Sequence, residues 1–219
     1  EVAKEVIILT YMFKGNVLDS FLKLKGFEVE SFDGFECSNP SKESIRKLLT
    51  VVPPNKKIVG YSMSSTWWTE ANAKQINDVA NYIRSTARTN GMTADDVLWT
   101  IPKARAVKQK GQKRNLMKPM SYTRDSAKNT CFLSAQTRAT NVYHEKRAMF
   151  HCYNRRPLVP VSSYLQDYNC NIDFKVFATS EMVQWLWRGC IRKGEPMLVG
   201  IGCERMYNYF MEWLNDDTI

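Results

Sequence analysis

Short apolar runs rich in β-branched residues, separated by stretches of helical spacing, constrain this chain more than any other feature. Val6–Met12 reads VIILTYM, and Asn16–Lys25 then places Leu18, Phe21 and Leu22 on one helical face, with Val17 and Leu24 beside it. Gly26 closes that helix, Phe27–Phe32 roughly alternates as a strand, and Asp33-Gly34 turns the chain, so the opening predicts a βαβ unit. Ser41 is placed to cap a helix over SKESIRKLL, and Lys57–Tyr61 (KIVGY) reads as the next short strand. Strands alternating with helices predict an α/β fold, a mostly parallel sheet flanked by helices.

The pattern continues downstream. Thr69–Asn90 has helical spacing with Ile76, Val79, Ala80 and Ile83 on one face, behind Trp67 and Trp68, which read as core anchors rather than base-stacking platforms. Thr93 with Asp96 three residues on predicts a capped second helix to Trp99. Regular structure is expected to resume at Thr130–Leu133, a buried run at Ala148–Tyr153, a helix at Ser162–Tyr168 and a strand at Met197–Ile201. The last helix, Glu204–Leu214, turns Met206, Tyr207, Phe210, Met211 and Leu214 inward.

Composition narrows the function classes. With 219 residues, 44% of them hydrophobic, the chain can bury a sizeable core. Lys and Arg number 31 against 22 acids, a net charge of +9 that points to a polyanionic partner. Six cysteines form no CxxC pair and meet no histidine cluster, which argues against zinc; several lie in apolar runs as small hydrophobes, which implies a reducing, cytoplasmic compartment. Only His144 and His151 are available for imidazole chemistry. No run is long and apolar enough to span a membrane and no signal-peptide pattern opens the chain, while a start at Glu1 without Met implies a piece of something longer.

Two constellations bear on chemistry. Thr179–Lys193 (TSEMVQWLWRGCIRK) sets Gln184, Arg188 and Arg192 four residues apart, one polar stripe on an otherwise apolar helix. Such guanidiniums either meet an anion or pair with carboxylates and snorkel to solvent. From Val97 to Arg124 the chain carries eight cations and no acid: Lys103, Arg105, Lys108, Lys110, Lys113, Arg114, Lys118 and Arg124. That segment reads equally as a loop tracking a phosphate backbone or as a solvated charge run. Arg155 and Arg156 before Pro157 read as a solvated pair ahead of a phosphate contact. Sequences of the types GxxxxGK(S/T), GxGxxG after a strand, GxSxG and HExxH are absent, so any nucleotide must be cradled by another lobe.

On these residues a resemblance emerges. Gln184, Arg188 and Arg192 resemble motif VI of superfamily 2 helicases, SAQTRATN (Ser134–Asn141) is similar to motif V, and VIILTY (Val6–Tyr11) looks like the motif IV strand. From Leu98 to Leu214 the chain resembles the C-terminal half of bacteriophage helicase-like proteins, through TRATNVY, YNRRPLVP and ATSEMVQWLWRGCIRKGEP. It departs from the motif VI pattern in having Trp187 in place of glycine and its second arginine one residue late.

The resemblance implies one RecA-like lobe over residues 1–219, with residues 62–128 as a helical and basic insertion. It implies that Arg188 and Arg192 act as arginine fingers, that Gln184 contacts the nucleotide or its water, and that Thr137, Arg138, Thr140 and Asn141 couple nucleotide to strand. ATP and Mg2+ would then be held mainly by a P-loop lobe in the same or another polypeptide, and the partner would be a nucleic acid, with DNA favoured over RNA. The rival reading is a non-catalytic, basic nucleic-acid-binding viral protein, such as a nucleoprotein or packaging component.

Overall fold

The computed structural model describes residues 7–8, 10–30, 41–106, 116–120, 131–137, 140 and 142–216. Four strands form one wholly parallel sheet: β1 (Leu49–Val52), β2 (Val97–Thr100), β3 (Ala148–His151) and β4 (Met197–Ile201), in the order β1-β4-β3-β2. Every residue of β2, β3 and β4 is buried, as a parallel sheet covered on both faces requires.

The strand order dictates where the helices go. From β2 to β3 to β4 the chain steps one strand at a time in one direction, whereas β1 to β2 crosses the whole sheet the other way. Right-handed crossovers therefore put the β1–β2 connection on one face and the later ones on the other. Adjacent residues of β3 display both faces. Phe150 meets Tyr82 of α4 (Ala73–Thr89) edge-on at 6.2 Å, and His151 meets Trp185 of α7 (Phe174–Leu186) at 5.7 Å. Gly200 of β4 lies under the Phe150–Tyr82 pair, where an added Cβ would sit 2.3 Å from the Phe150 ring.

The expected helices α2 (Lys42–Leu48), α4 and α8 (Glu204–Asn215) are present. Ser41 caps α2, and an Asn72–Gln75 capping box starts α4, which buries Ile76, Val79, Ala80 and Ile83 as expected. In α8, Met206, Phe210 and Leu214 are buried, together with Trp213. The helix expected at Ser162–Tyr168 is α6 (Val159–Asp167), and Trp68, at the end of the short α3 (Ser65–Glu70), is a core anchor whose indole donates to the Cys152 carbonyl. The stretch 62–128 supplies α4 and the strand β2, and a short α5 (Lys103–Ala106) follows.

Several expectations are corrected. Among the described residues of Val6–Met12 and Phe27–Phe32 there is no strand, and Ile7, Ile8, Phe27 and Val29 are exposed. KIVGY is a run of turns, because the Asn55 carbonyl accepts from both Ile58 and Val59 and its side chain accepts from Lys57. Its place in the sheet is taken by β1, which starts at the residue after α2. Thr93–Trp99 is not helical: Thr93 and Asp96 close a turn, and the Asp96 carbonyl then accepts from Arg147 and Ala148 where β2 and β3 begin to pair. The first helix, α1 (Val17–Leu24), exists, but it buries Asp19 and Ser20 and exposes Leu18 and Phe21.

Candidate functional site

Parallel α/β sheets offer their ligand crevice at the carboxyl ends of the strands, where neighbouring strands send their chains to opposite faces. Here that edge is laced together by polar contacts. The Asn154 side-chain amide donates to the Ser62 carbonyl at 2.9 Å, Arg205 Nε donates to Asn154 Oδ1 at 2.8 Å, and Arg205 Nη2 donates to the Arg155 carbonyl at 2.7 Å. Met63, fully buried with φ 49°, gives its carbonyl to the Asn154 N–H. The left-handed backbone at a non-glycine residue is strain concentrated where the loops after β1 and β3 meet.

Beside this lacing, on the α7 face, lies a buried polar group. Arg155 and Glu181 pair through Nη2 and Oε2 at 2.9 Å with both side chains about one-tenth exposed. The guanidinium also lies over the Tyr153 and Phe177 rings, at 5.3 and 5.9 Å. His151 and Thr100 are register partners on β3 and β2, both wholly buried. Among the described residues neither imidazole nitrogen, nor Thr100 Oγ1, nor Arg155 Nε has a hydrogen-bond partner. Burial first, and the Arg155 charge second, push the His151 imidazole down to about 3, so it is neutral at physiological pH.

Among the described residues the buried cysteines offer no nucleophile there. Burial raises the Cys131 thiol to about 12 and moves Cys152, Cys190 and Cys203 upward as well, which keeps them as inert thiols. Among the described residues no cluster of three or more His, Cys, Asp or Glu is arranged to hold a metal.

The Gln184, Arg188 and Arg192 stripe is corrected in its geometry. Helix α7 ends at Leu186 with Trp187 as its cap, Arg188 lies in a turn, and Arg192 belongs to a separate 3-10 helix, Cys190–Lys193. The break has a packing cause. Gly189 presses on the sheet so closely that a Cβ would lie 2.4 Å from Met149 Sδ, and the Cys190 N–H is held by the Lys146 carbonyl. Gly194 in the left-handed region (φ 75°) then turns the chain toward β4. Gln184 and Arg188 are half-buried and Arg192 is exposed. Arg188 Nη1 reaches the Thr140 carbonyl at 3.4 Å, so the segments that look like motifs V and VI do meet. Thr137 closes a turn onto the Ser134 carbonyl, while Arg138 and Asn141 lie outside the described residues.

Of the basic run, Lys103 and Lys118 are exposed, whereas Lys108, Lys110, Lys113, Arg114 and Arg124 lie outside the described residues. Arg105 is corrected: it is 5% exposed, and its guanidinium donates to the carbonyls of Trp68, Thr69 and Ala71 at the end of α3. It staples that helix end rather than presenting a cation. Arg155, read as half of a solvated pair, is likewise inside, and only Arg156 is exposed.

A second group of cations escaped the sequence reading. An open groove of about 450 Å3 runs along the outer face of α4, lined by Asn55, Lys57, Asp78, Arg84, Arg88 and neighbours. Its one acid, Asp78, accepts from the Tyr61 hydroxyl and faces Lys74 at 3.6 Å. Arg84 donates to the carbonyls of Lys118 and Pro119, which ties this groove to the end of the basic run. Helical spacing marks Arg84 and Arg88 as neighbours, but it does not bring Lys57 beside them.

The parallel sheet, its helices on both faces and its laced carboxyl edge define a Rossmann-like α/β domain. The chain belongs to the family described as the YonV C-terminal Rossmann-like domain, whose model matches residues 43–214. It is similar to the SPbeta prophage-derived uncharacterized protein YonV of Bacillus subtilis (strain 168), with 25% identity over 232 residues, covering 97% of this chain and 52% of the relative. The chain thus spans about half the length of the curated relative it matches. No solved structure matches it. Among the described residues no helix is long and apolar enough to cross a membrane.

Proposed function

We propose that this Rossmann-like domain is the C-terminal lobe of a nucleic-acid-dependent ATPase of the helicase type, turning Arg188 toward ATP held by a P-loop lobe outside this chain. The reading is supported chiefly by the 3.4 Å approach of Arg188 Nη1 to the Thr140 carbonyl, which brings the two helicase-like segments together at the amino end of β4, so the other lobe would present its nucleotide to the edge of the sheet opposite the laced carboxyl ends. A guanidinium there supplies a fixed donor fork for charge on a phosphoryl group. With α7 ending at Leu186, Arg192 stands on a separate turn, and the finger role falls first to Arg188. ATP and Mg2+ would sit mainly on the other lobe, leaving this chain alone without turnover. Steady-state ATP hydrolysis by the longer polypeptide with DNA is the test: Arg188→Ala should lower turnover on the order of 10³-fold. Unchanged turnover removes the finger.

The groove on α4 favours a second reading, a non-catalytic nucleic-acid-binding protein. Among the described residues the Lys57 and Arg88 side chains flank it without a hydrogen-bond or ion-pair partner, and the acid beside them is already engaged. Binding of single-stranded DNA by the 219-residue chain, steeply salt-dependent and indifferent to nucleotide, would favour this reading over the motor.

A further inference from the structure

Helix α1 is inside out. Asp19 and Ser20 are 2% exposed, while Leu18 and Phe21 are each 41% exposed. The inward side is fixed by polar bonds: Asp19 accepts from the Gly15 N–H at 2.7 Å and from Lys23 at 2.8 Å, and the Ser20 hydroxyl donates to the Asn171 carbonyl at 2.9 Å. Gly15 gives its carbonyl to the Asp173 N–H, so the helix is pinned to the loop between α6 and α7. A surface helix ordinarily turns its apolar stripe to the core. This one leaves Leu18 and Phe21 of that stripe outward, with Leu22 half-buried, next to α6, where Leu158, Tyr164 and Tyr168 are exposed, and to the start of α7, where Phe174 is exposed. Exposed apolar side chains gathered on neighbouring helices in this way mark a protein contact.

We infer that the α1–α6 face is the seat of the preceding lobe of a longer polypeptide, an acidic lobe presenting an apolar patch. Three observations choose this occupant. Helix α1 lies before residue 43, where the Rossmann-like family model begins, so it belongs to the stretch leading into that domain. The relative YonV is about twice the span matched here, which leaves room for a second body. Exposed Lys14 and Lys25 border the α1 side of the face and exposed Asp167 and Asp173 its α6–α7 side, so it is the net charge of +9 on the whole chain that sets a second copy against it and favours an acidic lobe. The inference rests on the two-lobe reading, but it uses a different surface. Phe174 and Leu186 bound a helix of 13 residues, about 20 Å long, so the face lies at the opposite end of α7 from Arg188, within reach of one docked domain.

Hydroxyl-radical footprinting of the 219-residue chain, alone and within the longer polypeptide, tests it. Phe21, Tyr164 and Tyr168 should be oxidised several-fold more slowly in the longer protein, with Tyr61 on the far face as the unchanged control. Leu18→Glu with Phe21→Glu should leave the melting of the isolated chain unchanged, yet should make the longer protein separable into halves by limited proteolysis. Equal labelling in both forms, or a reading frame encoding nothing beyond this chain, overturns the inference. Protection that grows with the concentration of the isolated chain assigns the face to a second copy and overturns it too. Equal labelling alongside an ATPase sensitive to Arg188→Ala discards the docking face and keeps the motor reading; protection with an insensitive ATPase does the reverse.

Discussion

His151 and Thr100 stand side by side on neighbouring parallel strands, wholly buried on the face beneath α7, and neither side chain finds a hydrogen-bond partner among the described residues. Buried polar groups without partners are rare in folded proteins, and those present are tied to strain, function or bound water. Here the imidazole is held neutral by burial and by the Arg155 charge.

That neutrality fixes a pH dependence. The folded imidazole titrates near 3, against about 6.5 when unfolded, so between those values the unfolded chain binds the extra proton. The contribution of His151 to stability is complete above pH ~6.5 and falls by roughly 1 kcal/mol for each pH unit below it. Urea melts of the wild type and of His151→Leu between pH 7 and pH 4 should show the wild type losing stability more steeply. Parallel slopes would mean that the imidazole titrates normally.

The Arg155–Glu181 pair carries a second expectation. Removing one partner leaves the other charge buried, so Arg155→Met or Glu181→Leu alone should cost roughly 3–5 kcal/mol. The double substitution should cost clearly less than the sum of the two, because neither member of the pair is then left buried without the other. Denaturant midpoints for the four proteins close the cycle, and additive costs would show the pair to be uncoupled.

Two glycines separate rigid from yielding neighbours. A methyl at Gly200 would meet the Phe150 ring at 2.3 Å, and that ring is backed by Tyr82, so Gly200→Ala should cost roughly 3 kcal/mol. At Gly189 the nearest atoms are the flexible thioether sulfurs of Met149 and Met197, and the φ of −79° suits any residue. Gly189→Ala should therefore cost less, about 1–2 kcal/mol, when the two variants are compared by denaturant midpoints. The reverse ranking would contradict the packing under α4.

For the α4 groove the expected readout is electrostatic. Lys57→Ala with Arg88→Ala should weaken single-stranded DNA binding about equally for all sequences and lower the salt slope by about 1–2. Fluorescence anisotropy at several salt concentrations measures both, and an unchanged slope would remove these two cations from the interface.

Much of the α/β pattern was legible because its signals are local. Met197–Ile201 follows a Gly-Pro turn and is β4, Ser41 caps α2, and the periodicity of α4 picked out its buried face. Strand β1 escaped because α2 runs into it with no breaking residue, while KIVGY imitates a strand that its Asn55 turn forbids. The carboxyl-edge group was invisible for a different reason. Thr100 and His151 are brought together only by strand register, Arg155 and Glu181 only by the packing of α7 over the loop after β3, and neither pairing leaves a trace in spacing. The Gln184, Arg188 and Arg192 periodicity was real in the sequence, but Gly189 ended the helix beneath it.

Cys170 lies in the loop that anchors α1, next to the Asn171 carbonyl that holds Ser20, and it alone among the described thiols is partly open to solvent. A maleimide dye would therefore settle there in preference to the four sheltered sulfurs, at the margin of the outward apolar helix. Nature has left a ready attachment point for a reporter, and its fluorescence would register the arrival of any visitor to that flank in real time.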